Sequence, residues 1–193
     1  MPEAALLIMD VQRGIVARFP DTSGPMLRAL DQAASAARSA GLPVVYVRVA
    51  FRDGVPEISP RNRSFSAIVD SGGLGDDDAG TQIHPAIAPH PEDIVVVKKR
   101  VSAFTGSDLD VVLRALNVDS LVLTGIATSG VVLSTLREAA DLDFDLTVLR
   151  DGCADNDDEV HRVLLDKVFP RQATILGVDE WAKLLSSAAS TGG

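Results

Sequence analysis

The chain has 193 residues, 46% hydrophobic and 23% charged, which fits one folded domain around a single core and excludes wholesale disorder. Its 18 basic and 27 acidic residues sum to a formal charge of −9, so a basic face for nucleic acid or an anionic membrane is not expected. The one cysteine, Cys153, excludes an intramolecular disulfide framework and any multi-cysteine metal site.

The N-terminus lacks a basic segment followed by an apolar core and a cleavage site. The longest mostly apolar stretch, Leu121 to Leu133, is too short to cross a bilayer, so a soluble cytoplasmic protein is expected. In chain order, apolar runs predict strands at Ala4–Met9, Pro43–Val49, Asp93–Val97, Ser120–Thr124, Leu146–Leu149 and Ala173–Leu176. Several of these runs are apolar without alternation, the pattern of strands buried on both faces in a parallel sheet.

Between the runs, helical spacing predicts helices at Met26–Ser39, Ser107–Asn117, Val131–Ala140, Asp157–Val168 and Asp179–Ser187. Ser107 and Asp110 look like a shortened capping box, and the acids from Asp157 suit the positive end of a helix dipole. Alternating strands and helices imply an α/β three-layer sandwich with right-handed crossovers. One domain over residues 1–189 is expected, with 190–193 as a frayed tail. The break in the alternation is Ala50–Glu92, a long proline-bearing stretch read as a wall or lid over a site, or as an oligomer contact.

In open parallel sheets ligands sit beyond the carboxyl ends of the strands, which gives a short set of candidates. Asp10 ends the first strand, Lys98, Lys99 and Arg100 follow the third, Gly125–Gly130 follows the fourth, and Asp151–Cys153 follows the fifth. An Asp and a Lys meeting at one rim form a proton-transfer pair; the competing readings are a loop-capping acid and a surface lysine. The amides of Gly130, Val131 and Val132 would open a helix and face outward as an oxyanion nest, unless the glycine turn serves packing alone. Arg13 and Arg100 are candidate anion contacts, and Phe104 and Phe19 candidate pocket walls, each with a surface or core role as the alternative. His84, His90 and His161 show no converging ligand pattern, so neither metal nor organic cofactor is expected.

Five of these segments together resemble one family. Leu-Leu-Ile-Met-Asp10-Val-Gln is similar to the first motif of the isochorismatase-like hydrolases, the cysteine hydrolase superfamily. Lys98-Lys-Arg-Val-Ser102-Ala-Phe104 with Gly106-Ser-Asp-Leu109 resembles the lysine motif. Leu121-Val-Leu-Thr-Gly125-Ile-Ala-Thr-Ser-Gly-Val131 resembles the third. Gly41-Leu-Pro-Val-Val-Tyr46 and Asp151-Gly-Cys-Ala-Asp155 also fit.

The resemblance implies a six-stranded parallel sheet of order 3-2-1-4-5-6, Asp10 as acid/base, Lys98 as catalytic lysine, and a cis peptide between Ile126 and Ala127. Ile126, Ala127, Gly130 and Val131 would then border the bound oxygen. It also implies a homodimer or homotetramer acting on a small molecule. The departure is Val131, which stands where amidase members carry their nucleophilic cysteine. Valine has no acidic proton, so a thioester route is closed there. Isochorismatases proper also lack that cysteine, usually with glycine instead. Cys153, flanked by Asp151 and Asp155, is a poor substitute because neighbouring anions disfavour the thiolate. The expected activity is a non-covalent hydrolase using Asp10 and Lys98. The alternatives are a catalytically silent member that binds a small molecule or supports an assembly, and, more remotely, an amidase using Cys153.

Overall fold

The computed structural model describes residues 3–19, 23–69 and 72–191. Six strands form one parallel sheet: β1 (Glu3–Met9), β2 (Val44–Val49), β3 (Ile94–Lys98), β4 (Val118–Ile126), β5 (Asp145–Ala154) and β6 (Thr174–Leu176). Their order is β3-β2-β1-β4-β5-β6, with helices on both faces, as the family resemblance implies.

The lack of alternation in β1 follows from its central place. Leu6 and Ile8 pack into one layer, while Ala5, Leu7 and Met9 pack into the other, and none meets solvent. The first layer is closed by α2 (Ser23–Ser39) and α7 (Val178–Thr191), through Leu30, Ala33, Ala37 and Trp181. Alanines on the buried stripe of α2 let its backbone settle close to the sheet. The Arg38 guanidinium then pairs with Asp93 at 2.5 Å, tying the end of α2 to the entry of β3. The opposite layer uses α4 (Leu109–Ala115) and α5 (Leu133–Asp141), through Leu113, Leu136 and Ala139. Three further helices, α1 (Arg13–Val16), α3 (Arg63–Val69) and α6 (Asp158–Val163), sit in the connections.

Several boundaries differ from expectation for local reasons. The strands β4 and β5 each run further, through Gly125–Ile126 and Asp151–Ala154, because a register shift between Leu123 and Gly125 re-pairs Gly125 with Cys153. The first two residues of what reads as a turn, Gly125 and Ile126, are therefore strand. The capping box is not formed: Asp110 is drawn to Arg114 one turn on, and the Ser107 hydroxyl accepts the Leu109 N–H instead. Asp157 does cap α6, accepting the Glu159 and Val160 amides at 2.9 and 3.0 Å, but the α-helix gives way at Leu164 to a π turn. The last helix continues to Thr191, so Ser190 and Thr191 are helical rather than frayed; Gly192 and Gly193 lie outside the described residues.

Gly125 is where the central strands come closest. It takes φ +139°, and a methyl group there would drive into the Met9 carbonyl. Gly125→Ala is expected to cost at least about 3 kcal/mol of unfolding free energy, read as a lowered urea midpoint with unchanged slope.

Candidate active site

Asp10, Lys98 and the turn after β4 meet at the carboxyl edge of the sheet. Asp10 follows β1 with φ +58°, a left-handed conformation that short polar residues adopt more readily than most. Its amide donates to Val47 O at 2.8 Å, which continues the β1–β2 pairing for one more bond while the chain turns away. The kink turns the carboxylate inward, where it is 7% exposed.

Lys98 ends β3, two strands away, and its side chain is 1% exposed. Its Nζ lies 2.7 Å from Asp10 Oδ2 and donates to Val101 O at 2.6 Å. Asp10 Oδ1 is buried and accepts no hydrogen bond among the described residues. A buried acceptor left open is costly, and its natural partner is a donor that arrives with a ligand or water. Burial lifts the Asp10 carboxyl above the usual carboxylate range, and the Lys98 ammonium pulls it back only in part.

Both groups border a cavity of about 580 Å³, which Ile126, Ala127, Gly130 and Val131 also line. The Ile126–Ala127 peptide is cis. Val131 is 2% exposed, and its branched side chain occupies the wall beside the ion pair's cavity.

Of the three amides expected to form an open nest, those of Gly130 and Val132 are already committed. The chain enters α5 through a π turn, Thr128–Val132, and the Gly130 and Val132 amides both donate to Ala127 O, at 3.0 and 3.3 Å. The neighbouring Ser129 amide is taken by Asp155 Oδ2 at 2.7 Å. The wide turn thus satisfies locally two of the donors that a tight helix start would leave exposed.

The remaining predicted residues lie elsewhere. Phe104 is buried in the α4–α5 layer, its ring 6.0 Å from that of Phe144, and Phe19 is buried under α2. Arg13 is exposed and is not among the residues lining the cavity. Arg100 donates to the carbonyls of Lys99 and Glu57, bracing the long connection rather than facing the cavity. Cys153 is 6% exposed inside β5 and is not among the residues lining the cavity, and burial pushes its thiol up to about 12, so it is not ionised. The three histidines are dispersed: His84 caps a short turn, His90 faces Glu92, and His161 meets the Thr128 hydroxyl at 2.8 Å.

Residues missed from the sequence supply much of the cavity. The 50–92 connection lies over the sheet edge as a wall, contributing Phe51, Phe65, Ile68 and Leu74. The Phe51 and Phe65 rings meet edge to face at 5.5 Å. Gln12 fastens this wall: its amide nitrogen donates to Val49 O and Thr81 O, and its oxygen accepts the Val49 amide. Next to it the wall comes so close that a methyl on Gly14 would lie 3.1 Å from Gly80 O. Arg18, after α1, also lines the cavity. The signals were faint: a glutamine in an otherwise apolar stretch, and Phe65 and Ile68 at helical spacing.

Residues 4–180 match the model of the isochorismatase domain. The chain belongs to the isochorismatase family. Among relatives, it is 34% identical over 170 residues to the isochorismatase family protein YwoC of Bacillus subtilis (strain 168), covering 88% of this chain and 87% of that one. It is 33% identical over 172 residues to the ureidoacrylate amidohydrolase RutB of Stutzerimonas stutzeri (strain A1501), covering 78% and 69%. Among solved structures, a cysteine hydrolase from Pseudomonas syringae pv. phaseolicola 1448A superposes with a TM-score of 0.88 at 25% identity, covering 96% of this chain and 93% of that one. This isochorismatase-family chain is hydrolase-like, and no helix among its described residues is long and apolar enough to cross a membrane.

Proposed function

We propose that the protein hydrolyses a small molecule without forming a covalent enzyme intermediate, with Asp10 moving the proton and Lys98 holding the charge. The observation that carries this reading is the buried Asp10–Lys98 pair at 2.7 Å, with the second carboxylate oxygen open at the edge of a 580 Å³ cavity. Asp10 Oδ1 takes a proton from a water molecule as its oxygen attacks the substrate. The same proton then passes to the departing group, so water is consumed and Asp10 is regenerated. Lys98 Nζ remains bonded to Oδ2 and Val101 O, which keeps the carboxylate oriented through both transfers. Val131 offers no attacking atom, and the Cys153 thiol is un-ionised inside the sheet.

The proposal takes residues 1–189 as a single domain and includes assembly into dimers or tetramers, which is checked by light scattering. The chemistry is tested with a panel of amides, esters and enol ethers while intact protein is weighed by mass spectrometry. Turnover with no mass adduct is expected. An acyl adduct on any side chain during steady-state consumption overturns the mechanism. A ligand that shifts the melt while no substrate is consumed favours a silent, binding member.

The pH profile supplies an independent check. Asp10 must be ionised to accept the proton, and burial has raised its pKa. Activity should therefore rise with pH along an acid limb whose midpoint lies above the ordinary carboxylate range, as read in kcat/KM.

A further inference from the structure

We propose that β3 is the surface through which two copies of this chain join, edge to edge and antiparallel, so that their two six-stranded sheets become one. This rests on the assembly part of the reading above and names the face that carries it.

The edges of the sheet are β3 and β6. An open edge offers unpaired amides and carbonyls to another chain, so edges are commonly kept short, bulged, charged or broken by proline. The β6 edge is short, only Thr174–Leu176. The β3 edge carries none of these devices. Ile94–Val97 is an unbroken run of β-branched apolar residues, paired with β2 in regular register. Among the described residues, no bridge or further backbone hydrogen bond reaches its outer side.

The open groups follow from the pairing. Val47 O is taken by the Asp10 amide, so alternation turns the backbone groups of Tyr46 and Arg48 toward β3. The register sets these against the amides and carbonyls of Ile94, Val96 and Lys98, which leaves those of Val95 and Val97 on the outer side. Exposure agrees: Val96 is 1% exposed and Val95 44%. Ile94 and Val96 send their side chains into the α4–α5 layer, so Val95 and Val97 lie together on the other face.

The flanks of β3 make the edge complementary to itself. Glu92 and Asp93 precede the apolar run, and Lys98, Lys99 and Arg100 follow it. A two-fold axis through Val96 sets Val95 against Val97 of the second copy, each pair exchanging two backbone hydrogen bonds. It also sets Glu92 against Arg100 of the second copy, and Asp93 against its Lys99. Parallel pairing would stack acid on acid and base on base. Asp93 is already held by Arg38 and Lys99 by Ala50 O, so the pair that counts is Glu92 with Arg100. Glu92 is exposed with only His90 beside it, and Arg100 has carbonyls but no carboxylate for partners among the described residues.

The test is sedimentation velocity on the whole protein from about 1 to 300 μM. One strand is a small contact, so a dissociation constant on the order of 10 μM is expected for this interface. Val95→Lys places on the edge the charge that protected edges carry. It should halve the particle mass at about 100 μM while leaving the circular dichroism spectrum unchanged. Glu92→Arg brings like charges together and should weaken association about fivefold with the fold intact. A monomeric wild type, a mass that survives Val95→Lys, or an association indifferent to Glu92→Arg each overturns the assignment. A mass that survives Val95→Lys would leave assembly standing on another face, and turnover reads the hydrolytic proposal separately.

Discussion

Asp10→Asn and Lys98→Met are each expected to lower kcat/KM by about 10²- to 10⁴-fold, the range that a positioned proton-transfer group contributes. From the sequence, neither change would be expected to disturb the melting temperature, since both residues read as rim groups. The structure corrects this. Lys98 is 1% exposed and bonded to Asp10 at 2.7 Å, so removing either partner leaves the other charged and buried. Such a loss typically costs about 3–5 kcal/mol, or on the order of 10 °C for a domain this size. The double variant Asp10→Asn/Lys98→Met should recover much of that stability and none of the activity, and this separates the catalytic from the structural loss.

The single variants also differ in their pH dependence. In Lys98→Met the Asp10 carboxyl loses the cation that lowers its pKa, so its folded-state value climbs further above the unfolded one. A carboxyl raised in the fold favours the protonated form there. Its contribution is fully present below the unfolded pKa and is lost as pH rises through the folded value. The melting deficit of Lys98→Met should therefore shrink on acidification. A deficit that stays flat across this range would place the cost of the substitution in packing rather than charge.

The parts of the fold legible in the sequence were those set by a single rule. A strand buried on both faces must be apolar at every position, so β1 and the core of β4 announce themselves. The ends of β4 and β5 do not, because Gly125 and Gly152 look like turn residues. They are glycines for another reason: a Cβ on Gly125 would strike Met9, and one on Gly152 would lie 2.9 Å from the Thr124 side chain. Tertiary crowding wrote those letters, and local pattern cannot reveal it. Strand ends of a parallel sheet share an edge whatever the loops do, which puts Asp10 and Lys98 among the candidates; the family resemblance, not that geometry, singles them out.

The cavity walls were not legible for the converse reason. Phe104 and Phe19 stand close in sequence to Lys98 and Asp10, but chain proximity fails across turns. The Ala103 amide donates to the Thr135 hydroxyl at 2.9 Å, which docks this segment on α5 and carries Phe104 into the core below the sheet. The aromatic wall comes instead from Phe51 and Phe65, in a connection whose path is fixed by distant partners. Lys99 bonds Ala50 O, Arg48 pairs with Asp76, and Arg100 reaches Glu57 O. None of those pairings leaves a periodic trace.

Val131→Cys is expected to install a reactive nucleophile in one step. Val131 lines the same cavity as Asp10 and Lys98, so a thiol there shares that cavity with a carboxylate able to take its proton. Lys98 offsets the carboxylate's charge, so the forming thiolate does not face a net anion. Cys153 provides the internal comparison, since its thiol is pushed up to about 12 by burial in β5. Against an ordinary thiol near 8.5, the gap in thiolate fraction at neutral pH, partly offset by the greater intrinsic nucleophilicity of the more basic thiolate, favours the introduced thiol by about a hundredfold in alkylation rate. Cysteine is also smaller than valine, so the change should cost the fold only about 1 kcal/mol. Measured with iodoacetamide in a Cys153→Ala background, labelling should be rapid and should slow on adding Asp10→Asn. With an activated amide, the variant should show a burst and a mass adduct that the parent protein lacks. A thiol at this position that reacts no faster than Cys153 does in the parent would mean that Val131 is packed away from the ion pair, and the wall of the proposed site would have to be redrawn.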